Sequence, residues 1–284
     1  MTPGAAEAAT DGGGLDLGFE RDAGGRTFIG RQYAAYPFHV CRPHYLDRGL
    51  PGLATLYVQS SAGGIYESDR HEITVTTAPE SQAHVTTQAS TIVHRTTADH
   101  AVQQVRLDAS AGSLLEFVPD PMILFPGARL FTRLDVTIDE TSVVILGDAY
   151  IGHDPEGDNR PFGWVDNRTQ VRTAAGSLLV LDRFVVEGSA WQQHNVGVLG
   201  RYAAQATLMV LAAAVDPAPL VAAIRRAVAD RPGLYAGASE LPRRCGAWAR
   251  LLATDGATLK SALSAGWMAA HEALTGHPPA PRRK

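Results

Sequence analysis

The sequence predicts a mainly β protein, a β-sandwich-like stack of many short strands with two late α-helices. Three observations carry that expectation. Short segments with period-2 alternation follow one another, separated by clusters of Gly, Pro, Asp and Ser. Helical spacing with caps appears only after Asp216. The chain has 284 residues, of which 45% are hydrophobic and 19% charged, a composition that supports a sizeable core. The expected organisation is a flexible leader over residues 1–14 and one domain over 15–284.

The elements follow in order. Leu15 to Tyr33 reads as a hairpin turning at Asp22-Ala23-Gly24-Gly25. Tyr36 to Tyr45 contains two prolines, which lack ladder donors, so it reads as an edge strand or extended segment. Leu53 to Val58 and Asp69 to Thr77 are strands, the second with Ile73 and Val75 inward. Ser81 to Thr97 reads as one long strand. Its first face carries Ala83, Val85, Thr87, Ala89, Thr91 and Val93, and its second His84, Thr86, Gln88, Ser90, Ile92 and His94. The second face is polar but almost uncharged, so its side chains call for partners inside the protein. Ala101 to Ala109 and Ser113 to Phe117 are further strands.

A Pro-rich connector, Val118 to Arg129, comes next. It reads either as an exposed docking strap or as a plug for the sandwich. Leu130 to Glu140 alternates cleanly and reads as a half-buried antiparallel strand. Ser142 to Leu146 reads as a strand buried on both faces, and Gly147 to Phe162 as a loop. Arg168 to Thr173 and Ser177 to Val186 form a hairpin, and Ala203 to Ala214 is an apolar strand. Asp216 can cap a helix that has Pro217 at its first position. Its stripe is Leu220, Val221, Ile224, Ala227 and Val228. Arg244 to Ala253 is a strand. A last helix spans about Ala257 to Thr275, with Leu259, Leu263, Trp267, Ala270 and Leu274 as its stripe and Gly276 after it.

The formal net charge of −4 gives no general attraction to nucleic acid or to an anionic membrane. No apolar run is long enough to span a bilayer. Two cysteines, Cys41 and Cys245, and the lack of a signal-peptide pattern point to a reducing, cytoplasmic setting.

No phosphate loop, dinucleotide fingerprint, nucleophile elbow or His-Glu-x-x-His helix is present. The titratable residues that stand out are carboxylates. Glu67 and Asp69 are two apart at a strand entrance, and so are expected on one face. Asp148 follows an apolar strand. Asp182 interrupts another, and either an arginine partner or a cation would account for it. His39-x-Cys41 and His153-Asp154 are donors suited to a borderline divalent metal, but no spacing forms a tetrahedral cage. A metal-dependent β enzyme would need His39, His84 and His153 to converge with carboxylates around an open position. A plain interaction module needs no metal at all.

Five segments together resemble one family. They are SAGGIYESDR (Ser61 to Arg70), VTTQASTIVHR (Val85 to Arg95), EFVPDPMILFPGAR (Glu116 to Arg129), LGDAYIGHDPEGD (Leu146 to Asp158) and the end ALTGHPPAPR. Their order and content are similar to the urease accessory protein family UreD, also called UreH. Ser68 stands where that family usually has glycine, His94 where it has tyrosine, His153 where it has arginine and Asp158 where it has glutamate. The resemblance implies a mainly β scaffold that is not an enzyme. It also implies partners: a UreF-like accessory protein, a UreG-like GTPase and apo-urease, in a complex expected as a homodimer. No cofactor is expected to be tightly bound, and nickel(II) is expected in transit. By motif position, the resemblance assigns Asp69, Thr91, Asp148 and Asp182 to a nickel passage.

Overall fold

The computed structural model describes residues 13–282. The expected leader lies outside that range as far as residue 12, and Gly14 already opens the first strand. Strands β1 (Gly14–Arg21) and β2 (Thr27–Ala34) form the expected hairpin. Asp22 Oδ1 accepts the Gly24 and Arg26 amides at 2.9 Å each, and Gly25 takes a left-handed φ of 85°. This is an Asx-type turn that glycine completes without steric cost.

The chain then passes back and forth between two sheets. Strands β3 (Phe38–Val40), β4 (Ala54–Ser60), β6 (Gln82–Thr87), β9 (Leu114–Phe117) and β12 (Val143–Gly152) lie in the second sheet. Strands β5 (Arg70–Thr77), β8 (Ala101–Ala109), β11 (Arg129–Ile138) and β13 (Trp164–Thr173) lie in the first, with β1 and β2. Each excursion through the opposite sheet returns the chain in the same direction. Neighbours in the centre of both sheets are therefore parallel: β1 with β5, β5 with β8, β8 with β11, β11 with β13, and likewise β4, β6, β9 and β12. The antiparallel reading of Leu130 to Glu140 is thus corrected. Its strict alternation reports one buried face, and a parallel neighbour produces the same pattern when that face packs on a second sheet.

The long strand expected over Ser81 to Thr97 is also broken. β6 stops at Thr87, and the chain bends over residues 88–90 into β7 (Thr91–Val93). β9 gives out at Phe117, and the Pro119-Asp120-Pro121 segment that follows cannot supply a regular ladder. Thr87 Oγ1 instead accepts the Asp120 amide at 2.8 Å, and Thr86 Oγ1 donates to Val118 O at 2.8 Å. Within the connector, β10 (Met122–Leu124) inserts between β12 and β7, parallel to both. The connector is a plug, with Leu124 fully buried.

β12 runs on to Gly152, so Gly147 and Asp148 lie inside a strand and not in the expected loop. The hairpin of β13 and β14 (Leu178–Glu187) ends the first sheet. A short helix α1 (Gly188–Gln192) follows, which the sequence reading lacked. β15 (Ala204–Leu211), β16 (Leu234–Glu240) and β17 (Gly246–Ala253) extend the second sheet antiparallel. Gly246 has φ 145°, and a Cβ there would sit 1.9 Å from Val210 O, so only glycine allows β17 to approach β15 so closely.

Helices α2 (Pro217–Val228) and α3 (Gly256–Thr275) cover the outer face of the second sheet. Asp216 and Asp255 cap them, and Gly276 at φ 76° terminates α3. The result is three layers: sheet, sheet, helices. One core fills the space between the sheets, a second lies under the helices, and a third closes one end around Tyr150, Phe162 and Trp191. Trp267 belongs to the helix-side core, whereas Met268 is exposed.

Glu116 anchors α3. Its carboxylate is completely buried and meets His84 Nδ1 at 2.7 Å, His271 Nδ1 at 2.7 Å and the donating Trp267 Nε1 at 3.1 Å. Burial pushes the Glu116 carboxyl up, but the hydrogen bonds from His271 and His84 outweigh it and hold the carboxyl at about 2. Cys41 is exposed and Cys245 buried, and both are free thiols.

Candidate functional site

The inward faces of the two sheets are apolar at one end and polar at the other. In the first sheet the parallel register places His71 opposite Gln103, Gln103 opposite Thr132, and Thr132 opposite Asn167. One polar row therefore crosses four adjacent strands. In the second sheet Asp148 stands opposite Thr207, and Thr207 opposite Arg250. The next pair along is Tyr150 opposite Gln205.

The two rows meet at Tyr150. Asn167 Nδ2 donates to the Tyr150 hydroxyl at 2.8 Å and to Thr132 Oγ1 at 2.9 Å, and those two hydroxyls are 2.9 Å apart. Burial, and Asp148 nearby, push the Tyr150 hydroxyl well above its ordinary range, so it stays protonated. A cavity of about 70 Å³ lies between the sheets, lined by Ser60, His71, Thr87, Thr91, Gln103, Thr132, Asp148 and Tyr150 among others. These polar groups are set in a mostly apolar lining that includes Val58, Ile73, Val105, Phe117 and Leu134, and the space is large enough to hold water where they converge.

Asp148 is the central group. Its residue is 8% exposed, and its Oδ1 has no hydrogen-bond partner. Burial raises its carboxyl to about 6, against the opposing pull of Arg250 and Thr207 and with a further push from Asp182. Asn167 Oδ1 and Gln205 Nε2 are likewise buried without a partner. Unpaired polar atoms in an interior are costly, and each calls for a partner such as water or an ion.

The four residues assigned from motif position are distributed along this band. Thr91 and Asp148 line the cavity. Asp69 does not: it accepts the Tyr66 amide at 2.8 Å, and its Oδ2 is 3.8 Å from Nε2 of His71, which does line the cavity. Burial lowers the His71 ring, and Asp69 works the other way. Asp182 stands at the other end of the band, behind Arg250, whose NH2 donates to Asp182 Oδ2 at 3.1 Å. An arginine partner therefore accounts for Asp182, and it is Arg250; the adjacent Arg183 pairs with Asp166.

Glu67 and Asp69 do not share a face. Ser68 has φ 67°, which breaks the alternation. The Glu67 carboxylate turns instead to the amides of Thr97, Ala98 and Asp99, which hold it at about 2.

Among the described residues, no three His, Cys, Asp or Glu side chains are grouped to hold a metal ion. His39 bonds Gln59 beside the edge strand, His84 lies under α3 on Glu116, and His153 sits against Phe125. The convergence that a metal enzyme would need is not formed by these three. Sequence reasoning missed His71, Gln103, Tyr150, Asn167, Thr207 and Arg250. The available signal was a polar residue at an inward position of an alternating strand, as with Thr132 between Leu130 and Leu134.

The fold and the site define a helix-backed, two-sheet β protein with a cavity between its sheets into which a row of polar side chains is set. Among the described residues, no helix is long and apolar enough to cross a membrane. The chain belongs to the UreD urease accessory protein family, whose model matches residues 11–284. It is 39% identical over 261 residues to urease accessory protein UreD 1 of Methylorubrum populi, covering 92% of this chain and 88% of that one. It is 37% identical to UreD 3 of Bradyrhizobium sp. (strain ORS 278), covering 98% and 97%. It is also 32% identical to the UreD of Haloarcula marismortui, covering 90% and 84%. The relatives carry the name of accessory proteins and not of enzymes.

Proposed function

We propose that the chain is a nonenzymatic scaffold of urease maturation and that nickel(II), as cargo, passes along its interior polar band. The observation that supports this most directly is Asp148: a carboxylate facing an internal cavity, with one oxygen left without a hydrogen bond. A borderline dication leaving water is stabilised by carboxylate and hydroxyl oxygens. Transfer also requires each stop to release its ion, so spaced single carboxylates serve better than a complete His/Cys cage. In this reading Asp69 with His71 forms one end, Thr91 and Asp148 the middle, and Asp182 with Arg250 the other end. The partners are a UreF-like accessory protein, a UreG-like GTPase and apo-urease, assembled in the cytoplasm as a homodimer of the complex.

The test is co-expression of the urease subunits and accessory proteins with Asp69→Ala, Asp148→Ala or Asp182→Ala in this chain. Co-purification should report an intact complex, and nickel content per urease should fall. Unaltered nickel content with all three variants would reject the passage.

A further inference from the structure

Arg250 occupies an unusual place. It projects between the sheets from β17, in the row of Asp148 and Thr207. Its guanidinium bonds Asp182 from the opposite sheet at 3.1 and 3.5 Å. Two rings also hold it: its guanidinium carbon is 5.2 Å from the centroid of Phe184 and 5.0 Å from that of Trp248, within cation–π reach. It is only partly exposed, as is Asp182. Asp148 Oδ1, in the same row and nine-tenths buried, has no hydrogen bond from it or from any other group. Arg250 thus offsets the charge of the carboxylate pair without occupying the oxygens of Asp148.

We infer that Arg250 is a built-in competitor of the cargo cation: it holds the place of a positive charge beside Asp148 and Asp182, and so sets how weakly the band holds a dication. The inference rests on the passage reading. Two carboxylates and one guanidinium leave a single net negative charge. A dication entering beside them must be accommodated against a fixed positive charge in a medium of lower dielectric than water, where such repulsion is strong. With the arginine gone, the same dication would meet two free carboxylates and would be retained. Asp182 keeps the guanidinium in position, and the two rings stabilise it where few other counter-charges are at hand.

The test is equilibrium dialysis of the full-length chain against Ni2+. Arg250→Gln should bind Ni2+ at least tenfold more tightly than the wild type. Arg250→Lys, which keeps the charge, should stay within about twofold of wild type. The gain should vanish when Asp148→Asn is added to Arg250→Gln. Should the glutamine variant fail to fold, Arg250→Met carries the same expectation, because its thioether packs between Phe184 and Trp248. Equal or weaker binding by the folded, uncharged variant overturns the inference. Urease nickel loading separates the two readings. If Asp148→Asn lowers loading while Arg250→Gln leaves affinity unchanged, the passage stands and the role of Arg250 falls. If Asp148→Asn leaves loading unaltered while Arg250→Gln binds more tightly, the passage falls and the competing arginine stands.

Discussion

An asparagine at position 148 keeps the shape of the side chain and removes its charge. In the native protein, burial moves the Asp148 carboxyl from 3.8 to about 6. The folded state therefore holds this proton more tightly than the unfolded chain does. Stability from this group is complete below pH 3.8 and is lost as pH rises towards 6. At 1.36 kcal/mol per pH unit the loss is about 3 kcal/mol. Asp148→Asn has no such loss, so its stability relative to wild type should climb by about 2.5 kcal/mol between pH 4 and pH 7.5, the rest falling below pH 4. Urea unfolding of both proteins across that range measures the difference. The other titrating groups, His71 and Glu116 included, cancel in it, and the amide's own hydrogen bonds shift its offset but not its slope. A flat difference, or one that falls with pH, would refute the claim that the carboxylate is held in the interior at a cost. The same variant should lower urease nickel loading, which would pair a gain in stability with a loss of function.

Other changes follow from the same geometry. Glu116→Gln leaves a buried amide between two histidines and the Trp267 indole, and should cost about 3 kcal/mol of stability; a urea midpoint within error of wild type would show that the cluster does not anchor α3. Ser68→Gly relieves a left-handed residue and should raise stability by about 1 kcal/mol, partly offset by loss of the exposed Ser68–Asp99 hydrogen bond at 3.2 Å; a drop in melting temperature would contradict this.

Much of the local structure was legible in the sequence. The turn at Asp22 to Gly25, the cap Asp216 and the stop at Gly276 rest on short-range chemistry, and all formed where expected. The call for partners by the polar face of Ser81 to Thr97 was met by Glu116 for His84 and by Val118 O for Thr86. The break after Thr87 was not legible, because it depends on β9 ending at Phe117 beside it. Asp148 was singled out, but as a residue beyond a strand; β15 pairs along the whole of β12 and draws it inside.

Alternation along a strand records which face is apolar, and the sequence alone determines that, together with the two late helices, α2 and α3, and the family. It does not record which strand lies alongside, or in which direction. His71, Gln103, Thr132 and Asn167 are unremarkable singly and far apart in the chain. They become one row only because the chain winds between two sheets and its strands return parallel and in register. Arg250 likewise reads as one charged residue in a late strand. Its position in the Asp148 row and its bond to Asp182 exist only once the two sheets are packed face to face, since these contacts form between segments that no local pattern links.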